Sequence, residues 1–316
     1  MDEHETTDAD IPRAIALAWG VAANPSRGPK RELSIERIVD AAIELADEGG
    51  GLGAVSMAAV AGRLGFTPMS LYRYVSAKDD LVQLMQERGM GVPPEDLDQG
   101  DGWRAGIERW ARATSALYAE HPWMLDIPIT GTGVTPNNLA WLDAALAVLE
   151  PLPFDDDRKL SVVLALLAQG RFEGTVLRGY RTAAADAGGT IDDVGSRDNA
   201  LMAQLVTAAE FPHVHAAFVA GAFAGDDQAA EDPFGFGFSR VLDGVEAALA
   251  GTIVPGPAVR SESSDPLDRE AARDPKVKDA VKARREAEKA LREARKRERE
   301  QLANARERAA KAAAKG

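Results

Sequence analysis

The chain of 316 residues has no cysteine, only four histidines, few aromatics (6%) and fewer basic than acidic side chains. Without cysteine there is no disulfide framework, thiolate nucleophile, Cys-ligated zinc, iron–sulfur cluster or thiol-based redox sensor. His213 and His215 stand two apart, which on a helix turns them about 200° from each other, and no His-Glu-x-x-His occurs. Gly131-x-Gly133 runs into Pro136 where a dinucleotide loop needs its third glycine. A Gly-Lys-Ser/Thr phosphate loop and a Gly-x-Ser-x-Gly elbow are also missing. Asp155-Asp156-Asp157 reads as the acidic first turn of a helix rather than a metal site. These absences argue against an enzyme and lead us to expect no cofactor. No apolar run approaches the ~20 residues that cross a bilayer, and Met1 to Glu5 is acidic where a secretory leader is basic. The expectation is a soluble cytoplasmic protein with no membrane partner.

Basic residues number 37 against 50 acidic, a formal charge of −13, whereas phosphate binding normally leaves a basic footprint. The total averages over unlike regions. Residues 265–316 carry 17 Lys and Arg against 11 Asp and Glu, a net +6, which leaves 20 against 39, or −19, in residues 1–264.

What is present is helix pattern. Residues 1–32 are polar and broken by Pro12, Pro25 and Pro29, and read as a flexible N-terminal arm ending in the cations Arg27, Lys30 and Arg31. From Ser34, an N-cap type, Ile35, Ile38, Val39, Ala42 and Ala46 form an amphipathic stripe that Gly49-Gly50-Gly51 ends. Ser56 opens a second helix with Met57, Val60, Ala61 and Leu64 on one face, stopped by Gly65. Thr67 caps a third, Pro68 to Val75, with Leu71 and Val75 inward. A fourth starts at Lys78 with Leu81, Leu84 and Met85. Further helices are expected at about 102–120, 137–149, 156–183, 198–209 and 234–250. No period-2 segment appears, so the fold class is all-α. The domains read as 33–92, 100–252, a Pro- and Ser-bearing linker at 253–274, and a charged helical tail at 275–316. The best coiled-coil register in the tail (Val277, Val281, Arg284, Glu288, Leu291, Arg295, Glu298, Leu302) puts charge in half of its core positions, which favours a solvated single helix.

Short helices with a tight Gly-containing turn between the second and third are the arrangement of a helix-turn-helix. The run Val55-Ser56-Met57-Ala58-Ala59-Val60-Ala61-Gly62-Arg63-Leu64-Gly65-Phe66-Thr67-Pro68-Met69-Ser70-Leu71-Tyr72-Arg73-Tyr74-Val75, followed by Lys78 and Leu81, resembles the DNA-binding segment of the TetR (tetracycline-repressor) family of transcriptional regulators. His121-Pro122-Trp123 is similar to members with a tetracycline-repressor-like C-terminal domain. The tail lies outside the resemblance. It implies that Thr67, Pro68, Met69 and Ser70 open the recognition helix toward base edges, and that Arg73 donates bidentately to guanine. Ser56, Tyr72, Tyr74 and Lys78 would hold phosphates, and Arg27, Lys30 and Arg31 would reach the flanking minor groove. Ala58, Pro68 and Met69 stand where a long hydrogen-bonding side chain can sit, which shifts readout toward thymine methyls and DNA shape. Packing aromatics and a solvated arginine are the plainer reading of Tyr72, Tyr74 and Arg73.

The resemblance further implies a homodimer on a palindromic double-stranded DNA operator, released by a small-molecule effector bound in the second domain. The helices at 156–183 and 234–250 are the expected dimer contacts. Trp103, Trp110, Trp123, Met124, Trp141, Arg171 and Phe172 are the candidate effector contacts, with core packing as the alternative for each. Two rival functions remain: a helical small-molecule-binding protein or enzyme with a decayed DNA reader, and a nucleic-acid- or partner-binding protein acting through its charged tail.

Overall fold

The computed structural model describes residues 11–21, 33–129, 133–222, 233–252, 270–271 and 273–313, and among them every regular element is helical. The chain divides into two compact units, Met1–Val254 and Pro255–Gly316. Arg27, Lys30 and Arg31, and most of the expected linker, lie outside the described residues.

The described part of the expected flexible arm is instead ordered against the reader. Helix α1, Arg13–Ala18, follows Pro12 and packs on α5, Lys78–Met90, with Ala14 fully buried and Leu17 and Ala18 against the same core. Ala14, Leu17 and Ala18 are thus the docking face of this short helix.

Helix α2, Ile35–Leu45, starts where Ser34 Oγ accepts from the Arg37 backbone N–H. Its expected stripe of Ile35, Ile38, Val39, Ala42 and Ala46 is buried throughout. The glycines that end it form a widened turn with Gly49 at φ 105, followed by one helical turn, Gly51–Ala54. Helix α3, Met57–Leu64, is capped by the Ser56 hydroxyl, which accepts from Ala59 N–H. Its other end is a Schellman motif: Phe66 N–H donates to Ala61 O, Gly65 N–H donates to Gly62 O, and Gly65 takes the left-handed conformation, φ 77. Helix α4 is shorter than expected. Its α-helical ladder covers Pro68–Leu71 and continues as tight turns to Tyr74, which still carry both Leu71 and Val75 into full burial.

The second layer comprises α6 (Trp103–Glu120), α7 (Pro136–Val148), α8 (Asp156–Ala187), α9 (Ile191–Leu205), α10 (Pro212–Val219) and α11 (Pro233–Leu249). The helix expected at 198–209 begins seven residues earlier because Thr190 and Asp193 form a capping box, in which Thr190 also holds the Asp193 carboxyl below its ordinary range. Helix α10, started by Pro212 at its first position, was absent from the sequence reading. Ile107, Trp110, Trp141, Ala145, Leu149, Val163, Leu166 and Leu242 form the core of this layer. Arg104 bridges α6 to α11 through Asp243 at 2.8 Å and Glu246 at 2.9 Å, and those carboxylates raise its pKa.

In the other unit the tail forms one helix, α12, Pro275–Ala313, with Val277 and Leu291 exposed.

A Cβ at Gly65 would meet nothing within 4 Å, so Gly65→Ala tests backbone strain alone. We expect a loss of about 1–2 kcal/mol in urea unfolding, with the slope m unchanged.

Candidate nucleic-acid interface and its coupling to the second layer

The α3–turn–α4 hairpin presents a protruding edge whose inner side is Leu71 and Val75 and whose outer side is Thr67, Pro68, Met69, Tyr72 and Arg73, all exposed. Met69 is 75% exposed at the tip of this edge. Thr67 Oγ1 and Ser70 Oγ are 2.9 Å apart and fix each other at the start of α4. Tyr72 is 47% exposed, whereas Tyr74 turns partly into the core and so combines a packing role with an edge position. Among the described residues no partner engages the Arg73 guanidinium, while its carbonyl accepts from Arg13 Nη2 at 3.2 Å. Arg13 therefore ties α1 to the end of the recognition turn, a role that sequence reasoning missed.

Two other cations serve the scaffold. Lys78 Nζ donates to Leu52 O at 2.9 Å, which anchors the start of α5 to the turn before α3 and leaves two of its protons for an anion. Arg63 pairs with Glu48 at 2.6 Å and Glu44 at 3.3 Å, and the hydrogen bond to Glu48 raises its pKa. A basic residue in the reader is thus spent on holding α3 to α2. Ser56 keeps its hydroxyl proton free for a phosphate, since its oxygen is the group that caps α3.

The reader is joined to the second layer by the 3-10 turn Pro122–Asp126. Trp123 and Met124 are buried in the reader's core, not in a pocket. Asp47, after α2, accepts from Trp123 Nε1 at 2.8 Å and lies 3.0 Å from His121 Nδ1. From the other side, Arg171 Nη2 donates to Leu125 O and Ile127 O, each at 2.7 Å, and Arg178 Nη1 donates to Pro122 O at 3.0 Å and Asp126 at 2.8 Å. Glu87 of α5 accepts from Asn137 N–H at the start of α7.

The seven expected effector contacts are not brought together. Trp110 and Trp141 are core residues, the indole of one donating to the backbone O of the other and that of Trp141 to Gly91 O. Arg171 is engaged by the 3-10 turn, Trp103 packs at the edge of the core, and Phe172 is 61% exposed. The cleft lies elsewhere: about 290 Å³ between α6, α8 and α11, lined by Ala111, Ser115, Leu166, Gln169, Phe234 and Phe238 among others. The Phe234-Gly235-Phe236-Gly237-Phe238 run was the available signal, because its glycines open space beside aromatic faces.

Residues 38–90 match the model of bacterial regulatory proteins of the tetR family, and residues 94–249 match that of the tetracyclin repressor-like C-terminal domain. The chain is 35% identical over 243 residues to the HTH-type transcriptional repressor DrrR1 of Streptomyces coeruleorubidus, covering 76% of this chain and 87% of that protein. A solved possible TetR family transcriptional regulator from Streptomyces coelicolor A3(2) is 26% identical, covers 68% of this chain and 100% of its own, and superposes with a TM-score of 0.51. Apo ActR from Streptomyces coelicolor, 18% identical, shares the fold with a TM-score of 0.57 over 72% of this chain and 100% of its own.

Removing the Asp47 carboxylate leaves the buried Trp123 N–H without its acceptor. Asp47→Ala should cost about 1–3 kcal/mol in urea unfolding, and Asp47→Asn, which retains an oxygen, distinctly less.

Proposed function

The chain belongs to the tetR family of bacterial transcriptional regulators, and on that premise we propose that it is a repressor that binds a palindromic operator as a homodimer and releases it when a small organic effector binds. It acts by binding rather than by catalysis. The observation that carries the reading is the exposed edge of Met69, Tyr72 and Arg73 held on the buried Leu71 and Val75. Arg73 reads a guanine, a contact worth about 1–3 kcal/mol of discrimination. Thr67, Pro68, Met69 and Ser70 face the groove floor, with Met69 and Pro68 against thymine methyls. Ser56, Tyr72, Tyr74 and Lys78 meet phosphates and set register. Residues 33–92 act as the reader and 100–252 as the effector and dimerisation domain.

Helix α8 supports both remaining parts of the reading. It carries an 18-residue window of mean hydropathy 1.3, of which only 17% is buried. That is a more apolar stretch than the sequence reading allowed for. Its polar Gln169 donates to Phe234 O of α11 and its Arg171 to Ile127 O beside the 3-10 turn, and a second protein surface suits its bare side. Leu160, Leu164 and Ala168 stand four apart, an exposed ridge of the kind that packs into the grooves of another helix. Leu166, Gln169, Gly170 and Glu173, which line the cleft, fall on the opposite face by helical periodicity, and Phe172, 6.1 Å from the Phe234 ring, stands at the boundary between the two. An effector in the cleft therefore presses on one side of the helix whose other side meets the second copy. The cleft's Phe234, Phe238 and Leu166 suit an apolar or aromatic molecule, with Gln169, Ser115 and Ser239 to orient its polar groups.

Two recognition helices must lie roughly 34–36 Å apart to engage successive major-groove faces, so a small rotation at this interface loses one half-site. Selection from random duplex DNA should return a palindrome. Arg73→Ala should flatten base preference at one position per half-site, while Lys78→Ala weakens all sequences alike. Leu164→Glu should yield monomers in sedimentation velocity and lose operator binding with the recognition edge intact. No enrichment over random sequence would sink the repressor reading.

A further inference from the structure

The tail helix lies beyond the matched family regions, residues 38–90 and 94–249. Within Pro275–Ala313, 14 residues are basic and 7 acidic, so the helix carries +7 in a chain whose total is −13. The cations include one regular series. Lys278, Lys282, Arg285 and Lys289 follow a 4-3-4 spacing, which puts all four on one face, and each is exposed. Among the described residues none of the four has an ion-pair partner, whereas Arg284, off this face, is paired with Glu288 at 3.5 Å. The spacing runs on in the sequence through Arg292, Lys296 and Arg299. Carboxylates flank the series, Glu286 four residues after Lys282, Glu293 four after Lys289 and Glu300 four after Lys296, but none occupies a position in it. The series advances 21 residues, about 32 Å at 1.5 Å each, close to one turn of duplex DNA.

We propose that this cationic stripe is a second, sequence-independent DNA-binding surface that lies along the phosphate backbone of duplex flanking the operator. Four-three spacing is the seam spacing of a coiled coil, and filling it with like charges excludes pairing of this face with its own copy. A duplex carries one negative charge per about 1.7 Å of axis, a far denser target than the dispersed carboxylates of residues 1–264. The reader supplies proximity. Once it holds DNA, binding by a tail on the same chain becomes intramolecular and needs little affinity of its own.

The test uses the full chain, a 40-base-pair duplex of arbitrary sequence, and fluorescence anisotropy across KCl concentrations. Lys278→Gln/Lys282→Gln/Arg285→Gln/Lys289→Gln removes four stripe charges and keeps good helix formers, with helicity checked by circular dichroism. A matched control, Lys276→Gln/Arg284→Gln/Arg297→Gln/Arg308→Gln, removes four charges off the stripe. The stripe variant should bind at least about tenfold more weakly at 50 mM salt and show a log–log salt slope smaller by about 3–4, at roughly 0.9 per phosphate contact. The control should change neither appreciably. Equal losses in both variants, or tighter binding by the stripe variant as expected if the tail covers the acidic body, would overturn the proposal. So would stripe-dependent binding that is tighter to single-stranded RNA or phosphatidylserine vesicles than to duplex. The duplex carries no operator, so failure here leaves the repressor reading untouched, and failure to select a palindrome leaves this one standing.

Discussion

Both layers of the first unit depend on one short segment, residues 121–127, being held from two sides at once. A 3-10 turn makes few internal hydrogen bonds of good geometry, so its carbonyls are available to outside donors. Arg171 and Arg178 of α8 take three of them, Leu125, Ile127 and Pro122, and a guanidinium's rigid fork suits such a task better than an ammonium would. The opposite side of the segment inserts Trp123 and Met124 into the reader's core, where Asp47 satisfies the indole N–H. Contact with α5 is close: a Cβ at Gly89 would come within 2.7 Å of Met124 Cε, the flexible end of that side chain, and 3.2 Å of the Trp123 ring. The orientation of the reader is thereby fixed to α8, the helix that carries the cleft on one face and the exposed apolar ridge on the other.

What was legible in the sequence is what depends on neighbours a few residues away. Ser34, Ser56 and Asp155 cap helices because their side chains reach a backbone N–H three positions on, and Gly65 closes α3 because only glycine adopts the required φ without strain. The stripe on α2 and the inward pair Leu71 and Val75 follow from helical period alone. What was not legible has the opposite character. Lys78 also donates to the carbonyl of Leu52, 26 residues away, and no local pattern announces that contact. The tryptophans read as pocket walls because they are large. The same size makes them the most rewarding groups to bury, and Trp110, Trp123 and Trp141 each found an acceptor for the indole N–H within the fold. The cleft formed beside Gly170 and Gly235, between Leu166, Phe234 and Phe238, none of which the sequence marks as a ligand contact.

Charge placement ties these observations to function. Residues 27–88 hold 8 basic and 9 acidic side chains, and several of the cations are committed inside the protein: Arg63 to Glu44 and Glu48, Arg88 to Asp40, and Lys78 in part to Leu52. Few remain for phosphates, so one reader alone has little sequence-independent hold on DNA and a shallow dependence on salt. Its affinity must come from engaging two half-sites together, which makes the dimer the binding unit. A weakly gripping half is also an easily released one. On the proposed release mechanism, few phosphate contacts are left to retain the protein once the half-site spacing is lost, and the acidic excess of residues 1–264 opposes rebinding elsewhere. A reader built this way gains from a separate cationic element that restores proximity to DNA without reading sequence, and α12 sets Lys278, Lys282, Arg285 and Lys289 on one exposed face where such an element would need them.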